Sequence, residues 1–282
     1  GVEAYRKSLE FLPDDAECLV LVGSWLRRCG DSEQARPFLE KALRICPTDP
    51  GIRSELDKLR AGELQPDLSV TAIVSVYKAE RFLRGCLDDL LEQSLWKKGL
   101  LEIVVVDTGS PESESDIVRE YQSRHGSEKI RLIRTEDRRG LYAAWNLGAQ
   151  AARGRLLTNA NADDRHREDA LERQCAELDA HPEVDLVYAD EFLTYQENAT
   201  MARHIRAGII RKPTFSPDIM MHGCHMGPHP MWRRSVHDRI GWFNEEFKSA
   251  GDYEFWCRMA LVGMSMRHIP EFLGLYLENP QG

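Results

Sequence analysis

Leu156-Leu157-Thr158-Asn159-Ala160-Asn161-Ala162-Asp163-Asp164 decides how the rest of the chain is read. It opens on an apolar pair, as a buried strand does, and closes on two adjacent carboxylates preceded by two amides. Carboxylate and amide oxygens at the C-terminal end of a strand are hard donors, suited to Mg²⁺ or Mn²⁺. In an open α/β sheet that end is where ligands bind. The competing reading is an acidic turn in which Asp163 or Asp164 caps the helix beginning near Glu168. Taken alone, capping is the favoured reading; the flanking elements reverse it.

Moving outward, strand and helix patterns alternate. Residues 68–77 are a β-rich apolar run, and residues 78–93 place Phe82, Leu83, Cys86, Leu87, Leu90 and Leu91 at helical spacing. Strands are expected at 101–107, 130–134, 155–159 and 184–189, with helices at 113–125, 141–152 and 168–180. Such alternation predicts an α/β fold with a mainly parallel sheet flanked by helices. Polar residues recur at the strand ends: Ser75 and Tyr77, then Asp107 and Thr108, then Asn161 and Asp163. Loops at one sheet edge are where a pocket forms. No Gly-x-Gly-x-x-Gly follows the first strand and no P-loop is present, which argues against a dinucleotide cofactor and excludes a Walker-type site on motif grounds.

The first quarter reads differently. Pro13 and Pro47 lie one tetratricopeptide period apart, with Gly23, Ala35 and Ala42 between them and Leu19, Val22 and Leu26 on the first helix. The segment resembles the tetratricopeptide family at these positions, with Leu26 where that family has an aromatic. Tyr5 to Pro13 resembles the second half of a preceding repeat, and Ile52 to Leu59 a polar-faced capping helix. Expected boundaries are residues 1–62 for this small all-α segment, 63–68 for a linker and 69–282 for the α/β domain. One visible repeat favours a packing brace; further repeats upstream would favour a docking surface for a protein partner.

The 282 residues carry a net charge of −9 with 42% hydrophobic and 29% charged residues, so a general nucleic-acid-binding surface is not expected. No apolar run spans a membrane and no signal-peptide pattern opens the chain. Seven scattered cysteines without a Cys-x-x-Cys pair suit reduced thiols, hence a cytoplasmic protein. The chain starts on Gly, and the expectation is a piece of something longer.

Five stretches, in order, resemble glycosyltransferase family 2, whose fold is GT-A, a Rossmann-like sheet flanked by helices. They are Val74 to Glu80, Ile103 to Ser110, Gly140 to Gly148, Gly154 to Asp164 and Gly251 to Arg258. The resemblance covers about residues 69 to 277 and implies roles. Ser75 and Tyr77 would line a nucleotide pocket, Tyr77 lying against the base. Asp107 would accept the base's imide N–H, which favours uracil. Glu80 would reach the ribose or start its helix. Arg139 would pair with the diphosphate, whereas Arg138 reads as a solvated charge. Asn161, where the family usually has Asp, keeps an oxygen but loses a charge. Asp163 would ligate Mn²⁺ or Mg²⁺, and Asn146 would hold the Asp-motif loop.

Asp252 would be the general base of an inverting transfer, a position that also suits an N-cap. Glu254 is the reserve candidate, although an ion pair with Arg258 four residues on is its plain reading. The His222 to His229 stretch matches no standard zinc spacing; it reads as an acceptor-side loop with His229 near the diphosphate. Trp242 and Trp256 read as core. The implied activity is transfer of a hexose-type sugar from a nucleotide-sugar donor, UDP-linked, to a glycan, lipid-linked or protein acceptor, as in polysaccharide biosynthesis. The alternative is a non-catalytic tetratricopeptide scaffold with a decayed transferase domain. All of this requires Asp107, Asp163 and Asp252 to meet at one pocket.

Overall fold

The computed structural model describes residues 2–28, 32–60 and 68–278. The chain divides into two compact units, residues 1–68 with 98–100 and residues 69–97 with 101–282. The expected linker, 63–68, lies outside the described residues except for Leu68.

The first unit holds four helices, α1 (Val2–Phe11), α2 (Ala16–Arg28), α3 (Ser32–Ile45) and α4 (Pro50–Arg60). Leu19, Val22 and Leu26 of α2 pack on Ala35, Leu39 and Ala42 of α3, and Ile52 and Leu56 of α4 close the cluster. A side chain at Gly23 would place its Cβ 2.7 Å from Leu39 Cγ, so the close approach of α2 and α3 depends on that glycine. This is the small-residue helix contact that the sequence pattern anticipates.

The second unit begins β1 (Val70–Val76), α5 (Glu80–Glu92), α6 (Ser94–Lys97), β2 (Leu101–Asp107), α7 (Glu114–His125), β3 (Ile130–Arg134), α8 (Leu141–Ala151) and β4 (Leu156–Asn159). It continues β5 (Arg165–His166), α9 (Ala170–Ala180), β6 (Val184–Thr194), β7 (Gly208–Ile210), β8 (Met231–Arg233), α10 (Val236–Ile240), α11 (Gly251–Leu261) and β9 (Ser265–Leu277). The strand order is β3-β2-β1-β4-β8-β6-β9-β5, with β7 on β6. β1 runs parallel to β2 and β4, and β2 to β3. Beyond β4 the sheet is mixed. β6 runs parallel to β9 from Val184 to Thr194, whereas β8 is antiparallel to both β4 and β6, and β5 and β7 are antiparallel additions. β6, β7 and β8 follow one another without an intervening α-helix, which permits their antiparallel pairing, while α10 and α11 lie between β8 and the parallel β9.

The parallel half sets the site. β1, β2 and β4 point their C-terminal ends the same way, so residues 75–79, 108 and 160–163 share one edge. β2 is buried along its whole length, and its Glu102 carboxylate is held by Thr71 Oγ1 (2.7 Å) and by the Arg153 backbone N–H (2.6 Å) and Nε (2.7 Å). On the other half, an aromatic cluster joins Tyr142 and Trp145 of α8 to Trp232, Phe243, Phe255 and Trp256. Trp256 is fully buried as expected, but Trp242 is 41% exposed and stacks on His237 at 4.6 Å.

Candidate active site

The organising stretch forms β4 and a tight acidic turn. Asp164 faces inward: its Oδ1 accepts the Leu277 backbone N–H (2.9 Å) and its Oδ2 accepts Asn161 Nδ2 (2.9 Å). Burial, outweighing the opposing pull of His229, pushes the Asp164 carboxyl up to about 6. Arg165 is buried too, and its Nη1 donates to the carbonyls of Ala162 (2.9 Å) and Asp164 (2.6 Å), locking the turn from below. With Asp164 and Arg165 turned in, Asp163 is left half-buried at the rim. The capping alternative does not hold, since α9 begins at Ala170 behind Asp169.

Asn161 and Asp163 line a cavity of 880 Å³ at the sheet edge. Ser75 and Tyr77 reach it from β1, and Thr108 from the end of β2. Four cations line the same space: Lys78, Arg138, Arg139 and Lys248. Arg138 is exposed, and its guanidinium lies 4.3 Å from the Tyr77 ring centre, a cation–π contact. Lys78 adopts φ 54°, a strained conformation for a non-glycine residue, and its backbone N–H is held by Ser110 Oγ at 3.0 Å.

A second cavity, of 390 Å³, is lined by Asp252, Glu191, Lys212 and Cys224, with Leu141 and Asn161 at its border. Leu141 and Asn161 line the larger cavity as well, so the two are contiguous. Asp252 lies inside the first turn of α11; the N-cap position is Ala250 at φ 58°, with no side-chain cap bond. The carboxylate is therefore not consumed by the helix end. It accepts Tyr142 Oη at 3.2 Å and lies 3.9 Å from Cys224 Sγ. Glu254 pairs with Arg258 (2.6 Å), as its spacing anticipates.

Several expectations are corrected. The Asp107 carboxylate is fully buried and occupied by the Ser110 N–H (2.8 Å), Ser115 Oγ (2.6 Å) and the Arg134 guanidinium. It ties down the turn after β2, and Thr108 meets the cavity in its place. Asp163 and Asp252 line contiguous cavities, but Asp107 joins neither. Glu80 opens α5, the second of its two expected roles, accepts the Ser113 N–H (3.1 Å) and lines a 640 Å³ cavity with Arg84 and Glu112 that shares Lys78 with the larger one. Asn146 holds not the acidic turn but the 243–245 segment, through Phe243 O (2.9 Å) and Glu245 Oε1 (2.9 Å). His229 is buried, 3.2 Å from Glu191 Oε1, with its ring against that of His166. Glu191, Lys212, Arg165 and Tyr142 were not anticipated; Glu191 and Lys212 sit in stretches without a motif, whereas Tyr142 lies inside the Gly140 to Gly148 stretch and Arg165 directly follows the Gly154 to Asp164 stretch.

Among the described residues, no group of three or more His, Cys, Asp or Glu side chains converges to hold a metal. What the rim offers is the Asp163 carboxylate with the Asn161 amide beside four cations. That donor set fits a hard divalent ion that takes most of its ligands from phosphate and water.

The model of glycosyl transferase family 2 matches residues 71–241, and the chain belongs to that family. Glycosyltransferase AglE of Haloferax volcanii is 24% identical over 213 residues, 76% of this chain and 68% of that protein. The structure of Staphylococcus aureus TarS 1–349 with UDP superposes with a TM-score of 0.61 at 20% identity, covering 76% of this chain and 62% of that one. The mannosyltransferase PcManGT of Pyrobaculum calidifontis, solved with GDP-Man and Mn²⁺, gives 0.58 at 22%, covering 76% and 58%. These likenesses support a GT-A-type fold and span only part of each relative. The family model begins after the helical unit, and the tetratricopeptide likeness of that unit remains an expectation from the sequence pattern. No described helix is long and apolar enough to cross a membrane.

Proposed function

We propose that residues 69–282 catalyse inverting transfer of a hexose-type sugar from a nucleoside diphosphate, UDP-linked, to a hydroxyl of a glycan, lipid-linked or protein acceptor. The observation that carries this is the shared wall of the two cavities. Leu141 and Asn161 border both, with Asp163 and the cations on one side and Asp252 on the other. A donor spanning them has its diphosphate among Arg139, Lys78 and Lys248, and its sugar facing Asp252. The Tyr77–Arg138 pair offers a flat surface to the base.

In the reaction, the acceptor oxygen attacks the anomeric carbon as the bond from that carbon to the β-phosphate oxygen breaks. Asp252 takes the acceptor's proton, and the nucleoside diphosphate leaves with the electron pair. Arg139 and the neighbouring lysines meet the charge that develops on it. A divalent ion held by Asp163 would add Lewis-acid stabilisation of that leaving group when bound. Tyr142 orients the carboxylate by its hydrogen bond. The fold is found with UDP and with GDP-Man in its neighbours, so both nucleotides belong in the test.

The test is nucleotide release from UDP- and GDP-linked sugars by the wild type and by Asp252→Asn. The expected result is UDP release from the wild type, a loss of roughly 100-fold or more in the variant, and unchanged UDP affinity. Equal release by both proteins would contradict the role of Asp252. A protein binding neither nucleotide would favour the scaffold reading.

A further inference from the structure

We infer that the Glu191–Lys212 ion pair sets donor specificity in the smaller cavity, admitting a neutral sugar and rejecting one that carries an acidic group. The inference rests on the proposed reading of that cavity as the sugar site.

Lys212 Nζ lies 3.0 Å from Glu191 Oε2, with only 9% and 2% of the two side chains exposed. Both residues line the cavity that Asp252 lines. A nearly desolvated pair is costly unless its geometry is held, and here it is held from three sides. A bulge between Asp190 and Glu191 breaks the register of β6 on β9, and both side chains are buried instead of alternating. Asp190 Oδ1 accepts the Lys212 backbone N–H at 2.9 Å. Gly227, at φ +71°, crosses directly over the pair; a Cβ there would come within 2.5 Å of Glu191 Oε1 and 2.7 Å of Lys212 Nζ. Covering loop, bulge and ladder thus combine to keep two opposite charges beside Asp252.

The rest of the lining mixes polar and aromatic side chains: Tyr142, Asn159, Asn161 and Tyr276 line the cavity with Trp145 and Trp256. A polyol with an apolar face, such as a sugar ring, is the class of ligand that suits such a wall. Charge then selects among polyols. Of the charged side chains that line the cavity, Glu191 and Asp252 are anions and Lys212 a cation, with His229 behind Glu191 and outside the lining, so a sugar carboxylate placed here meets repulsion, whereas hydroxyls bond to either member of the pair.

UDP-glucose and UDP-glucuronate differ only at the sixth sugar carbon and read this directly. Their affinities and that of UDP are measured by calorimetry for the wild type, Glu191→Gln and Lys212→Met, each checked by its melting curve. The wild type is expected to prefer UDP-glucose. Glu191→Gln, which frees the ammonium, should shift the preference roughly 10-fold towards UDP-glucuronate. Lys212→Met should weaken UDP-glucose roughly 10-fold and leave UDP itself within about two-fold. A wild type that prefers UDP-glucuronate overturns the inference with no variant needed. So does an unchanged preference in whichever variant folds, and so does a parallel loss of UDP. A wild type that binds no UDP instead sinks the reading of the site, and this inference with it.

Discussion

At the scale of single residues, Asn161 explains itself once Asp164 is seen to turn inward. Its amide donates 2.9 Å to the Asp164 carboxylate. An aspartate there would set two carboxylates against each other, a repulsion that a bound cation or an added proton relieves. Asn161→Asp is therefore expected to lose about 2 kcal/mol of stability in chelator and to recover it on adding Mn²⁺, read from urea unfolding. A variant as stable as the wild type in chelator would contradict this. The position of Asp163 at the end of β4 was legible because the strand before it reads plainly, but which of the two carboxylates turns inward was not. Asp107 was not legible. Its strand-end position looks the same in sequence whether the side chain points to a ligand or to Ser110, Ser115 and Arg134. Arg134 lies 27 residues on, and nothing local ties it to Asp107.

At the scale of elements, local periodicity located the secondary structure and the parallel pairing of β1 to β4, and missed the antiparallel pairs. β2 and β3 fall at 101–107 and 130–134 as expected, because apolar runs bounded by polar turns carry their own boundaries. The antiparallel insertion of β8 between β4 and β6 is a long-range fact with no local period behind it. That insertion brings His229, just before β8, against His166 of β5 and Glu191 of β6. Burial lowers the affinity of His229 for its proton, but the Glu191 hydrogen bond and the charges of Asp164, Glu191 and Asp89 together outweigh it, and its pKa is raised above 6.5. A raised folded value stabilises the fold fully below the unfolded pKa, and that contribution is lost as pH rises through the folded value. The destabilisation caused by His229→Gln should therefore be largest near about pH 6 and shrink towards about pH 9, read from unfolding midpoints. A penalty that grows with pH would contradict this.

At the scale of the whole molecule, the chain joins four packed helices to a family 2 glycosyltransferase domain. The net charge of −9 coexists with a cavity that gathers four cations. Overall composition therefore speaks against a nucleic-acid surface while the local cluster suits a diphosphate. The order of motifs made the fold readable, and the split of the site into two cavities that share Leu141 and Asn161 was not, because no sequence pattern marks a shared wall. The central claim is that one donor spans both cavities, and a crystal structure with a UDP-sugar and Mn²⁺ tests it most directly. The account predicts the diphosphate between Arg139 and Asp163, and the sugar within hydrogen-bond reach of Asp252. A nucleotide seated instead in the cavity beside Glu80 and Arg84, or a sugar pointing away from Asp252, would contradict it.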